Sequence, residues 1–204
     1  GSTTVAATMS CAALAGITVF ATGGIGGVHR GAEESFDVSA DLIELGRTPV
    51  TVVCAGAKAI LDLPKTFEVL ETNGVPVIGY GCDELPAFWS SESGLPAPLR
   101  LDAPEQIARH MADRKRMSLG GGVLVANPVP AEDAIPASVI DTHIEAALAE
   151  AAAQGISGKA VTPFLLGRMV DLTDGASLAT NKALILNNAR LAGEIAVAAI
   201  TISQ

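Results

Sequence analysis

The apolar positions of this chain fall into two kinds of run. Short stretches of strand type, without polar alternation, stand at residues 17–21, 50–54, 75–80 and 123–126. Between them lie longer stretches with helical spacing, near 3–15, 33–46, 57–72 and 104–117. After the last strand-type run the pattern turns helical, near 137–154, 162–173 and 177–200. Strands lacking alternation expect cover on both faces, and strands separated by helices pair in parallel. The pattern therefore predicts an α/β protein: a parallel-type sheet flanked by helices on both faces, with a helical C-terminal part, in one domain over residues 1–204. One stretch breaks the rhythm. "CDELPAFWSSESGLPAPLRLDAP", residues 82–104, is rich in Pro and Ser and reads as an irregular excursion of the kind that lines or covers a site.

Composition narrows this picture. Hydrophobic residues make up 49% and charged residues 17%, which excludes a disordered chain. Aromatics are 3%, so Ala, Val, Leu and Ile must build the core. A net charge of −9 argues against binding nucleic acid, whose phosphates would repel the chain. Cys11, Cys54 and Cys82 share no paired spacing and read as reduced core thiols of a cytoplasmic protein. No apolar stretch is expected to cross a membrane, because "CAALAGITVFATGGIGG" is broken by glycines. The chain opens on "GSTTVAATMSCAALAG", already helical in pattern; Gly1-Ser2 reads either as an appended dipeptide or as the continuation of a longer chain.

In parallel sheets ligands bind at the carboxyl ends of the strands. Three strand exits carry unusual residues: "ATGGIGGVHRG" after the first, "AGAK" after the second and "ANPVP" after the fourth. They are expected to converge. The first holds Gly23, Gly24, Gly26, Gly27 and Gly31, which favour close backbone approach. It fails the dinucleotide fingerprint, because His29 stands where a third glycine is needed, and it lacks the Gly-Lys-Ser/Thr of a P-loop. A tight strand-to-helix connection explains the glycines alone; His29 and Arg30 at its crown favour a ligand.

"FDVSAD", residues 36–41, carries Asp37, Ser39 and Asp41. Oxygen donors at this spacing suit Mg²⁺ or Mn²⁺, but on spacing alone the capping of the helix that follows is the more ordinary reading. Lys58 follows the second strand just after Gly56. A helix starting there would aim its positive end at the amine and favour the neutral form, a carbonyl nucleophile able to form a Schiff base. The alternative is a first-turn lysine in solvent. Asn181, Asn187 and Asn188 sit within one helical run, where Asn is a poor residue unless it has a polar partner. His110 and His143 read as solvated surface.

Taken together, "TTVAATM", "VFATGGIGGVHRGAEESFDVSADL", "TPVTVVCAGAKAILDLPKTFEVLETNGVPVIGY", "LPAFW", "GGVLVANPVP", "TPFLLGRMVDLT" and "SLATNKALILNNARLAGEIA" resemble the pseudouridine-5′-phosphate glycosidase family, collinearly from the first residue to about residue 198. The resemblance implies cleavage of the C–C glycosidic bond of pseudouridine 5′-phosphate to uracil and ribose 5-phosphate through a lysine Schiff base. It further implies Mn²⁺ in the site and a homotrimer. Lys58 matches the covalent nucleophile and Asp37 the metal ligand. Ser39, Ala40 and Asp41 match a substrate-binding run, Val5 another substrate contact, and Thr22, His29 and Asn181 positions near the ligand. It also implies a further N-terminal segment that holds a general-acid glutamate and a phosphate-binding lysine; no residue here matches either. On this reading the chain is the larger, C-terminal part of the family fold. Two alternatives stand beside it: an impaired remnant that only binds ligand or oligomerises, and a Schiff-base aldolase or lyase acting on another sugar phosphate.

Overall fold

The structure, a computed structural model, describes residues 3–156 and 158–203. Gly1 and Ser2, on which the reading of the chain's opening turns, lie outside them. Five strands, β1 (Val19–Ala21), β2 (Thr51–Cys54), β3 (Val77–Tyr80), β4 (Leu99–Leu101) and β5 (Val123–Ala126), form one sheet in the order β1-β2-β5-β3-β4. Every neighbouring pair is parallel, so all carboxyl ends share one edge. The expected α/β architecture is present, with helices on both faces.

The period of two along each strand decides which side chain faces which layer. On β2 and β5, Val52, Cys54, Leu124 and Ala126 enter the larger core. There they meet Met9 of α1 (Val5–Leu14), Leu42 and Leu45 of α3 (Ala40–Arg47) and Leu70 of α4 (Leu63–Thr72). Ile144 of α6 (Ala137–Ala153) and Met169 of α7 (Val161–Leu172) close this side. Val53, Val123, Val125 and Ile78 face the other way, onto Ile107 of α5 (Pro104–Arg116) and Leu191 and Ile195 of α8 (Ala176–Ser203). Each such fully buried Leu or Ile stabilises the fold by roughly 1.5–3 kcal/mol.

Several expectations need correction. β4 lies inside the excursion expected to be irregular. It is a short edge strand whose central Arg100 pairs with Asp83 at 2.7 Å and Asp102 at 2.8 Å, so it leaves no apolar run in the sequence. The helix expected over 33–46 is two: α2 (Ala32–Ser35) ends at Phe36, whose φ of 53° is left-handed, and α3 restarts after Ser39. The helix expected from 57 begins at Leu63, where Asp62 caps it by accepting the Lys65 N–H and Pro64 occupies its first turn. Cys11 is exposed rather than a core thiol, although all three cysteines are free. His110 is not solvated surface: its Nε2 is buried without a partner, and burial pushes its pKa down. By length and composition α8 is apolar enough to cross a membrane, with mean hydropathy 1.4. Its Leu191, Ala192 and Ile195 pack on the sheet, while Ile185, Leu186, Val197 and Ile200 are exposed.

Candidate active site

The three strand exits do converge, and their hydrogen bonds show how. The Ala55 N–H donates to the Gly23 carbonyl at 2.9 Å, Ile25 to Gly56 at 3.1 Å and Lys58 to Ile25 at 3.2 Å. These bonds extend the pairing of β1 with β2 past the ends of the strands. From the third direction, the Asn127 N–H donates to the Cys54 carbonyl at 2.8 Å. The irregular excursion also reaches in: the Phe88 N–H donates to the Ala55 carbonyl at 2.9 Å.

Lys58 therefore stands on a loop pinned to the glycine-rich segment, five residues before α4 begins. No helix starts at Gly56, so no helix N-terminus is aimed at the amine from there, contrary to expectation. What the site offers Lys58 is isolation. The ion pairs among the described residues engage His29, Lys65, Arg100, Arg116 and Arg168, and none engages Lys58. Its amine is free for a ligand.

A cavity of about 390 Å³ opens beside it, lined by Val5, Thr22, His29, Ser39, Asp41 and Lys58. Six of the positions expected at the site are thus brought together by α1, β1, the glycine loop, α3 and the Lys58 loop. Three are not among its lining. Ala40 is exposed on the first turn of α3. Asp37 stands outside, 41% exposed, with Oδ2 4.0 Å from His29 Nδ1. Asn181 lies on α8 with its Oδ1 buried and unpartnered. The sequence reading missed Thr3 and Thr4 at the start of α1, Leu61, Phe88 and Thr162, which complete the wall. Each lies in a stretch the sequence had marked: Thr3 and Thr4 in "TTVAATM", Leu61 after "AGAK", Phe88 in the Pro- and Ser-rich excursion and Thr162 in "TPFLLGRMVDLT".

The glycines serve packing as much as ligand approach. A Cβ on Gly24 would lie 2.6 Å from Phe88, on Gly26 2.3 Å from Ser39 Oγ, and on Gly27 2.4 Å from Thr66 Oγ1. Several of the loop's N–H groups are already committed: Val28 donates to Thr66 Oγ1 at 2.9 Å and His29 to the Asp37 carbonyl at 3.0 Å. Arg30, at the crown, turns from this cavity to a neighbouring one of about 690 Å³, where its Nη2 donates to the Ala59 carbonyl at 3.5 Å.

Ser39 and Asp41 answer the question of capping against binding by doing part of each. Ser39 Oγ caps α3 by accepting the Asp41 N–H at 3.2 Å, and it also lines the cavity. Asp41 is 5% exposed; its two oxygens accept the Ala6 N–H and the Gly26 N–H, each at 2.8 Å. It holds the start of α1 against the glycine loop, and its charge is balanced by the positive end of α1. Asp41→Ala strands both N–H groups. It should cost roughly 2–3 kcal/mol, which thermal unfolding of the folded variant measures. Cys54, just below the site, is no rival nucleophile: burial pushes its thiol up to about 12.

For a metal, the described residues contain no group of three or more His, Cys, Asp or Glu side chains that could hold an ion. Asp37 with His29 beside it is the nearest donor pair at the site.

Against known proteins, the family model described as "Indigoidine synthase A like protein" matches residues 1–198. A pseudouridine-5′-phosphate glycosidase of Methylobacterium nodulans is 69% identical over 198 residues, covering 97% of this chain and 59% of that protein. One of Paracoccus denitrificans is 67% identical over 201 residues, covering 98% and 66%. The chain thus spans about two thirds or less of the length of these relatives. Among solved structures, the prealnumycin C-glycosynthase AlnA in complex with ribulose 5-phosphate superposes with a TM-score of 0.93 at 40% identity, over 100% of this chain and 67% of that one.

Proposed function

This chain belongs to the indigoidine synthase A like protein family, and from that premise we propose that it forms the larger part of a pseudouridine-5′-phosphate glycosidase with Lys58 as its nucleophile. One observation carries the reading: an unpaired lysine faces a cavity at the carboxyl edge of the sheet, where residues of the motifs that carry the family resemblance meet. That relatives 69% and 67% identical carry this activity in their names, and that a neighbour of the same fold is described with a sugar phosphate bound, supports it.

A uracil joined through carbon leaves poorly, so simple protonation does little. In the proposed chemistry the Lys58 amine attacks C1′ and the C1′–O4′ bond breaks, opening the ribose ring, while the proton lost by the nitrogen ends on O4′ as a hydroxyl. The nitrogen lone pair then forms an iminium with C1′ as the C1′–C5 bond breaks. The electrons of that bond go to uracil C5, which takes a proton from water. Water adds to the iminium and releases ribose 5-phosphate and the free amine. The protein's part is placement. Thr22, Ser39 and His29 supply donors along the cavity wall, and Asp41 keeps α1 and the glycine loop in register.

Asp37 is the residue that would hold Mn²⁺, a hard cation suited to a carboxylate oxygen, with water filling positions that one side chain leaves open. When bound, the ion supplies positive charge beside His29. The same reading expects a homotrimer in the cytoplasm. Its test is borohydride reduction of the protein mixed with ribose 5-phosphate and Mn²⁺, followed by peptide mass spectrometry. A mass increment confined to the Lys58 peptide supports the reading; a folded protein with no adduct at Lys58 would sink it.

A further inference from the structure

Asn188 lies in the middle of α8, fully buried, where an asparagine costs helix stability unless it is used. Both ends of its carboxamide are used. Its Nδ2 donates to the Thr22 carbonyl at 2.9 Å, with a longer contact to Gly23 at 3.5 Å. Its Oδ1 accepts from Asn127 Nδ2 at 3.0 Å, and Asn127 in turn donates its N–H to the Cys54 carbonyl. One helix residue thus ties together the exits of β1, β2 and β5. Asn187, next to it, donates to the Pro128 carbonyl at 3.1 Å and secures the same exit from outside.

The consequence runs to the amine. Thr22 and Gly23, held from α8, line the cavity. Gly23 accepts the Ala55 N–H, and two residues on Ile25 pairs with Gly56 and Lys58. From this geometry we infer that Asn188 is a positioning residue: its carboxamide holds the Thr22–Gly24 wall at a fixed distance from the Lys58 loop. It touches neither the cavity nor Lys58. Only an amide does the work, because the site needs a donor toward one carbonyl and an acceptor toward Asn127 within a single dry position. Leucine provides neither. Aspartate keeps the acceptor and sets a negative oxygen against the Thr22 carbonyl. The inference rests on the proposed role of Lys58 for its effect on chemistry, but not for its effect on the loops.

The test is amide hydrogen exchange by mass spectrometry on the whole chain, comparing Asn188→Asp with the unsubstituted protein. Peptides over residues 22–30 and 55–61 should exchange about tenfold faster or more, while those over α5 and β3 stay unchanged. Adduct formation at Lys58 with ribose 5-phosphate and borohydride should slow by about tenfold in the same variant. Should Asn188→Asp fail to fold, Asn127→Ala keeps the inference testable. It frees the carboxamide to rotate, and the same two loops should speed by a smaller factor. Unchanged exchange in both loops of a folded variant overturns the inference, as does an increase spread evenly over all strands. A missing Lys58 adduct in the unsubstituted chain overturns the Schiff-base reading instead, and the exchange experiment then decides the positioning role by itself.

Discussion

Lys58→Ala is expected to leave a folded protein that forms no borohydride-reducible adduct and, in a form competent to turn over pseudouridine 5′-phosphate, releases uracil slower by ~10³-fold or more. The size of the loss follows from the leaving group. Without a nitrogen on C1′ to take up the developing charge, breaking a C–C bond to uracil has no low route, and the remaining cavity residues only hold the sugar. That the fold survives follows from the contacts. Among the described residues the Lys58 side chain makes no ion pair, while its backbone keeps the bond to Ile25 whatever the side chain. Lys58→Arg keeps a long cationic side chain at the position but removes the amine: guanidinium stays protonated at any working pH and has no lone pair to offer C1′, so the chemistry stops. Uracil release in either variant at the unsubstituted rate, with intact mass confirmed, would remove Lys58 from the mechanism.

Gly56→Ala should be among the most destabilising single-atom additions in this chain, by about 3 kcal/mol or more. Gly56 has φ of +85°, where a side chain is strained, and a Cβ there would lie 2.3 Å from the Pro86 carbonyl oxygen. The obstacle is backbone on both sides. The Gly56 carbonyl is held by Ile25, and Pro86 is held by its neighbour Phe88, which donates to Ala55. Neither segment can give way without opening the junction on which Lys58 stands. For a domain of this size the cost should lower the melting temperature by roughly 6–12 °C. Gly74→Ala is the control: its φ is +67°, but a Cβ there meets nothing within 4 Å, so only the backbone strain of about 1 kcal/mol remains. Equal melting temperatures for the two variants would mean that the Pro86 contact does not constrain the junction.

Much of this site could be read along the chain. The "AGAK" lysine and the His29 of the glycine loop were visible as residues out of place for their element, and the "VSAD" run, which reads as a helix cap, was marked by the family resemblance. The cavity gathers all three. What misled was the assumption that an element begins where its apolar pattern begins. Residues 57–62 have helical spacing, yet the Lys58 and Asp62 N–H groups bond to the Ile25 and Val28 carbonyls across the sheet end, so α4 waits for the Asp62 cap. Phe36 likewise breaks a helix that periodicity would continue, because Val38 is drawn into pairing with Val28. In both places a long-range backbone bond outweighs a local propensity worth only tenths of a kcal/mol per residue.

The buried asparagines mark the division most clearly. Composition and spacing along the chain led to the expectation that at least one of Asn181, Asn187 and Asn188 has a polar partner, since Asn is a poor residue inside an apolar helix. The partners lay far along the chain: Asn188 meets Asn127, 61 residues away, and Thr22, 166 residues away, Asn187 meets Pro128, and Asn181 Oδ1 is left without one. Periodicity alone likewise determined an α/β layer protein and put the chemistry at strand exits, because apolar strands between helices have few other ways to bury both faces. Only the tertiary structure decided that β5 enters between β2 and β3, that Asp41 clamps α1 to the glycine loop, and that Asp37 and Asn181 stand outside the cavity. Those outcomes depend on contacts between residues far apart in sequence, whose energies no local pattern encodes.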